Sequence, residues 1–272
     1  MFKATVVAVV LAIAMPSVAF AQAKKAPAKK GAAKAPTAAE IAALGSDQVE
    51  AAAKAAETIG ESSSPAAHDA LLDALAMGLP ASVAVPAIVG LAKHPAPPDV
   101  QALVRYANHI NPTVRNAAIT ALAQYPDPAA HKVVIERLGD SVAVVRATAA
   151  AAAAKAKIKK AVDPMLVLLS RGEEPAARAL AAMADVELAA RIADQLGKVP
   201  AESLALCLGA ILLRPDFGPD TARVEVVRAI GKIDDRSAVT ALQDYLANSP
   251  KKPTTSRTEA QMIVDARLGG GK

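Results

Sequence analysis

A stretch of thirty residues, Asn111 to Asp140, reads NPTVRNAAITALAQYPDPAAHKVVIERLGD, and the rest of the chain repeats its plan. Asn111 can cap a helix, and Pro112 stands where a first helical turn tolerates proline. Val114, Ala118, Ala121 and Leu122 then recur at helical spacing. Tyr125-Pro126-Asp127-Pro128 breaks that helix. Asp127 can cap a second one, whose apolar face holds Ala130, Val133, Val134 and Leu138. Gly139-Asp140 ends it and opens the next unit. Two short antiparallel helices per unit of this length predict an all-α fold, an α-solenoid of stacked helical hairpins.

Second helices end at Leu44, Met77, Ile110, Leu138, Leu169 and Leu196, at intervals of 33, 33, 28, 31 and 27 residues. The first helices are expected at about 47–59, 81–93, 112–124, 141–155 and 174–184, and their partners at about 66–78, 97–110, 127–138, 158–170 and 186–197. Thr37 and Glu40 are placed as a capping box for a remnant N-terminal helix. After Leu196 the pattern lapses. Residues 201–213 read as an extra helix, 214–219 as a break, and 220–232 with 235–247 as a final pair. The solenoid is therefore bounded at 37–249. Residues 250–272 read as a linker, a weak helix and a frayed glycine tail.

Composition supports closely packed helices: 53% of residues are hydrophobic, only 2% aromatic, and 19 are proline. The formal charge of +5 is unevenly spread. Six lysines precede the first acidic residue, Glu40, and residues 40–250 hold 20 basic against 24 acidic residues. The body is mildly acidic, which gives no support to a specific nucleic-acid interface.

Residues 1–21 read as a secretory signal: Lys3, an apolar run from Ala4 to Ala14, Pro16, then small residues that suit cleavage after Ala21 or Ala23. The competing reading is an uncleaved anchor. No later segment has the length of apolar chain needed to span a bilayer. Residues 22–36, QAKKAPAKKGAAKAP, are expected to be a disordered tether, either a spacer or a grip on an anionic polymer.

With the units aligned, Val114-Arg115, Val145-Arg146 and Ala177-Arg178 fall into register, and Val227-Arg228 follows. Each comes after an Asn, Asp or Glu. This pattern resembles the HEAT-repeat family, in particular the short HEAT-like repeats of the bilin-lyase type. The resemblance implies that Arg115, Asp140, Arg146, Arg178 and Arg228 form a structural ladder between neighbouring units.

No catalytic, metal or cofactor site is expected. His68, His94, His109 and His131 lack ligand spacing and read as solvated positions. Cys207, the single cysteine, reads as a buried small hydrophobe. Tyr106, Tyr125, Phe217 and Tyr245 stand apart and make no stacking platform. Lys155, Lys157, Lys159 and Lys160 crowd one turn, as a solvated loop or an anion patch. Second helices normally line the binding face of such stacks. Their polar positions nominate Gln101, Arg105, Asn108, His131, Glu136, Lys159, Lys160 and Arg191 for a protein partner. The expected function is a non-enzymatic scaffold, periplasmic or secreted, for another envelope protein. Alternatives are a binder of anionic envelope polymer through residues 22–36 and, as the resemblance implies, a bilin-lyase-like enzyme accessory.

Overall fold

A computed structural model describes residues 35–269. The expected signal segment and all of the tether before Ala35 lie outside the described residues, as do 270–272. The described chain is a run of α-helices with no strand among its described residues. After α1 (Ala38–Leu44) come α2 (Val49–Gly60), α3 (Pro65–Met77), α4 (Ala81–Lys93), α5 (Asp99–Tyr106), α6 (Pro112–Leu122) and α7 (Pro128–Glu136). Then follow α8 (Ala143–Lys155), α9 (Val162–Ser170), α10 (Glu174–Met183), α11 (Val186–Ala193) and α12 (Ala201–Leu213). The series closes with α13 (Asp220–Gly231), α14 (Arg236–Asn248) and α15 (Thr255–Gly269).

Local chemistry explains the helix starts. Thr37 and Glu40 form the reciprocal capping box at α1. Ser64, Asn111, Asp127, Asp185 and Asp235 each accept a backbone N–H at the head of a helix. Pro65, Pro112 and Pro128 open three of these helices, where the missing N–H costs nothing.

The helices sort into two layers. One contains α2, α4, α6, α8, α10, α12 and α14, each packed on the next; α3, α5, α7, α9, α11, α13 and α15 make the other. Between the layers lies one continuous core built largely from alanine, valine and leucine. Val114, Ala118, Leu122 and Val134 are fully enclosed, so the apolar stripe read in the central unit faces inward. Alanine lets neighbouring helices approach closely. At α2 against α4 even that is too large, and Gly60 meets Gly90.

Two expectations about the C-terminal third need correction. The alternation of layers does not lapse: α12 packs between α10 and α14 as a regular member of the first layer. It is more apolar than its neighbours because it is covered along most of its length, with Leu204, Ala205, Leu208, Ile211 and Leu212 buried. The solenoid also continues past residue 249. Helix α15 packs on α13 and α14, burying Ser256, Ala260 and Val264. Its sequence looks weak because few of its residues face inward. Polar bonds fix it instead: Ser256 Oγ joins Tyr245 and Asp220, and Arg267 donates to the carbonyl of Gly231.

Candidate binding surfaces

The arginine ladder comes first, because it decides which charged residues are available to a ligand. Arg115 lies near the start of α6, and its Nε and Nη2 donate to both carboxylate oxygens of Asp140 at 2.9 and 2.8 Å. Its Nη1 donates to the carbonyls of His109 and Ile110, so one guanidinium ties α6 to the turns on both sides. Burial alone would raise the Asp140 carboxyl. Hydrogen bonds from Arg115 and the Val142 N–H, with the guanidinium charges nearby, hold it below the usual carboxylate range instead. Arg146 repeats the arrangement one unit on, donating to Glu173 at 2.9 and 3.1 Å and to the carbonyls of Asp140 and Ser141.

The ladder then departs from its expected course. Arg178 pairs only with Glu174 of its own helix, and its side chain is 66% exposed. The residue four positions before it is an acid, and Pro200 stands at the head of α12 where Glu173 stands at the head of α10. Arg178 is thus not a rung between units. Arg228 is one, but in the other layer: α13 packs beside α11 and α15, and Arg228 donates to Glu259 of α15 at 2.7 Å. The helix α12, which lacks the Val-Arg pair, takes a first-layer place and moves the following motif helix across.

The residues expected to meet a partner divide into two groups. Gln101 and Arg105 line a furrow of about 490 Å3 between α3 and α5, together with Asp73. Asn108 and Glu136 share a polar cleft of about 400 Å3 where the turns after α5 and α7 come together. Lys159 and Lys160 are exposed in the turn before α9, and Lys155 and Lys157 are exposed beside them. His131 is half-buried on α7. Four members already hold internal contacts, Glu136 among them through Lys132 at 3.8 Å. Arg105 donates to the carbonyls of Leu75 and Ala76 at the end of α3; Asn108 donates to Val104; Arg191 bridges to Asp163 at 2.6 Å.

Sequence reasoning missed one polar centre. Asp99, the first residue of α5, is fully buried. Its Oδ2 accepts from the Tyr125 hydroxyl at 2.6 Å and from the Ala96 N–H at 2.9 Å, and Oδ1 lies 2.7 Å from His68 Nε2. His68 is therefore not the solvated position expected, because the stack folds its ring over α5. Burial, with the hydrogen bond and charge of Asp99, pushes the Tyr125 hydroxyl far above its ordinary range. Tyr106 and Tyr245 are buried staples of the same kind, the first donating to the Leu75 carbonyl and the second bonded to Ser256. The signal available in advance was thin: each tyrosine sits at a helix end facing a neighbouring turn. Cys207 is fully enclosed as expected, and burial pushes its thiol up to about 12. No group of three or more His, Cys, Asp or Glu among the described residues could hold a metal ion.

Hairpins stacked in two layers, with guanidinium–carboxylate rungs from unit to unit, define an α-solenoid of short helical repeats. Parts of the chain match models of HEAT repeats: the model of HEAT repeats matches residues 80–154, and that of the PBS lyase HEAT-like repeat matches 222–248. The first match spans α4 to α8 with the Arg115 and Arg146 rungs; the second covers α13 and α14 with Arg228. No curated protein sequence matches the chain. Among solved structures, the chain is similar to the complex of CpcE and CpcF of phycocyanin lyase from a Nostoc species. The identity is 19%, covering 89% of this chain and 98% of that one, with a TM-score of 0.45. It is also similar to human deoxyhypusine hydroxylase, at 18% identity, 85% and 95% coverage and a TM-score of 0.39. An engineered protein matches at 21% identity, 86% and 68% coverage and a TM-score of 0.42.

Proposed function

We propose that this chain is an exported, non-enzymatic scaffold that holds a protein partner along its second helices. One observation carries the reading. The second helices α3 and α5 leave a furrow between them, and polar side chains from both walls line it, Asp73 on α3 with Gln101 and Arg105 on α5. A furrow of this kind gives an extended partner a shallow foothold in place of a deep pocket, and solenoids spread such binding over many units. The export half of the proposal rests on the n-region, apolar run and small-residue cleavage pattern of residues 1–21. Binding of an anionic polymer through residues 22–36 is the competing reading, supported by the five lysines of that stretch.

The test is affinity capture from the native envelope with three proteins in parallel. One is the full mature chain, one carries Gln101→Glu, Glu136→Lys, Lys159→Glu and Lys160→Glu, and one lacks residues 22–36. Loss of a reproducible protein partner with the fourfold variant alone is the expected result. Capture unchanged by the substitutions but abolished by the deletion would overturn the scaffold reading in favour of the polymer binder.

A further inference from the structure

The outer surface of the first layer carries two adjoining furrows that the ladder and the second-helix face do not use. One runs between α8 and α10, about 640 Å3, with a floor of alanines that includes Ala147, Ala151 and Ala182. The other crosses α10, α12 and α14, about 700 Å3, over Leu206, Ala210 and Ala241. They share one dividing wall, the Glu174–Arg178 pair. Arg115 and Arg146 are folded back into the stack, with side chains 10% and 19% exposed, whereas the same repeat position at Arg178 stands out on the surface at 66%. The ladder is abandoned at the one unit where these furrows meet.

The second furrow has a marked charge imbalance. Glu202, Asp235 and Asp244 stand exposed on its rim, and its single cation, Arg178, is already neutralised by Glu174. The floor is shallow, since methyl groups reach the surface and Gly209 admits no side chain without meeting Ala241 at 3.0 Å. Leu213 adds exposed apolar surface at one end.

We propose that the furrow across α10, α12 and α14 docks a lysine-bearing, extended segment of a partner protein in which small residues separate the lysines. The small residues let the backbone settle on the alanine floor. The aliphatic stems of the lysines lie along it, and their ammonium groups reach the carboxylates of Glu202, Asp235 and Asp244. This surface belongs to the opposite layer from the second-helix furrows, so the two sites stand or fall independently and together would let the scaffold hold two partners at once.

The test is fluorescence anisotropy with a labelled (Lys-Ala-Pro-Ala)4 peptide and its glutamate counterpart, titrated with the full mature chain. The lysine peptide should bind, weaken as salt rises, and lose at least tenfold in affinity with Glu202→Lys plus Asp244→Lys. Ala210→Gln, which raises the floor without changing charge, should weaken it several-fold, with circular dichroism confirming that each variant is folded. Equal binding of the glutamate peptide would overturn the proposal. So would an affinity within twofold for the double reversal, an unchanged affinity for Ala210→Gln, or an equal loss from Glu50→Lys with Glu57→Lys on the distant α2.

Discussion

Gly60 of α2 and Gly90 of α4 meet backbone against backbone: a Cβ on Gly90 would lie 2.8 Å from the Gly60 Cα and 2.9 Å from Leu71 Cδ1. Both glycines are helical and buried, positions where glycine is otherwise the poorer choice over alanine by about 1 kcal/mol of helix propensity. The close approach reverses that preference. Gly90→Ala is expected to destabilise the stack by about 1–3 kcal/mol, the usual range for overpacking a rigid contact. Urea unfolding would check it, and a midpoint equal to or above the parent's would contradict the close crossing.

Leu122 tests the apolar stripe from the other side. It is fully enclosed at the end of α6. Leu122→Ala should lower stability by about 2–5 kcal/mol, the transfer loss plus the cavity left behind. An unchanged thermal midpoint would mean that the stripe faces outward.

The Asp140 carboxyl gives a pH signature. Arg115 and the Val142 N–H favour its ionised form in the folded state and hold its pKa below the unfolded value of about 3.9. Its stabilisation is complete above that value and is lost as the pH falls through the lower, folded one. The stability difference between the parent and Asp140→Asn should therefore shrink as the pH drops from about 5 towards 2.5. Unfolding curves at several acid pH values would show this, and a difference that does not vary with pH would place the partner of Arg115 elsewhere.

Much of this architecture is legible before any coordinates, because it is written in local chemistry. Asn111, Asp127 and their following prolines mark helix starts, and the stripe through Val114, Ala118 and Leu122 marks the inward face, all within one or two turns of chain. What is not legible depends on pairing across a whole unit. Nothing within α12 says which layer it enters; that follows from counting helices in the stack. Arg178 stands at the same repeat position as Arg146, but Pro200 holds the helix-head place that Glu173 fills for Arg146, and Arg178 pairs with Glu174 of its own helix instead. Asp99 looks like an ordinary first-turn acid until His68 and Tyr125, 31 and 26 residues away in sequence, close over it. For the binding surfaces, exposure could be guessed but furrows could not, since each needs walls from two or three helices.

Arg146 and Arg178 should behave differently despite their equivalent places in the repeat. Arg146→Ala removes bonds to Glu173 and to two backbone carbonyls, in a site where both side chains are about one-fifth exposed. A loss of about 1–3 kcal/mol is expected, below the cost of breaking a fully buried pair. Arg178→Ala removes an exposed pair within one helix and should cost less than about 0.5 kcal/mol. Equal losses in chemical denaturation would restore Arg178 to the ladder.

The last prediction concerns the end of the stack. Each solenoid unit closes its core on a neighbour, and α15 does so for α13 and α14 although its sequence is polar and its last turn is exposed. It covers Ala260 and Val264 against α13 and brings Ile263 to within 2.9 Å of where a Gly231 Cβ would stand. Glu259 completes the Arg228 rung, and Ser256 donates to Asp220 while meeting the Tyr245 hydroxyl. Truncation after Pro250 should therefore strip Arg228 of Glu259, and Asp220 and Tyr245 of Ser256, together and open the α13 face to water. Local unfolding of α13 and α14 should follow, seen as fast amide exchange there at protection unchanged in α2 to α6. Met262→Ser, at a side chain that is 59% exposed on the same helix, should leave exchange as in the parent. If the truncated chain keeps parental protection in α13 and α14, then α15 is an appendage and the solenoid ends at α14.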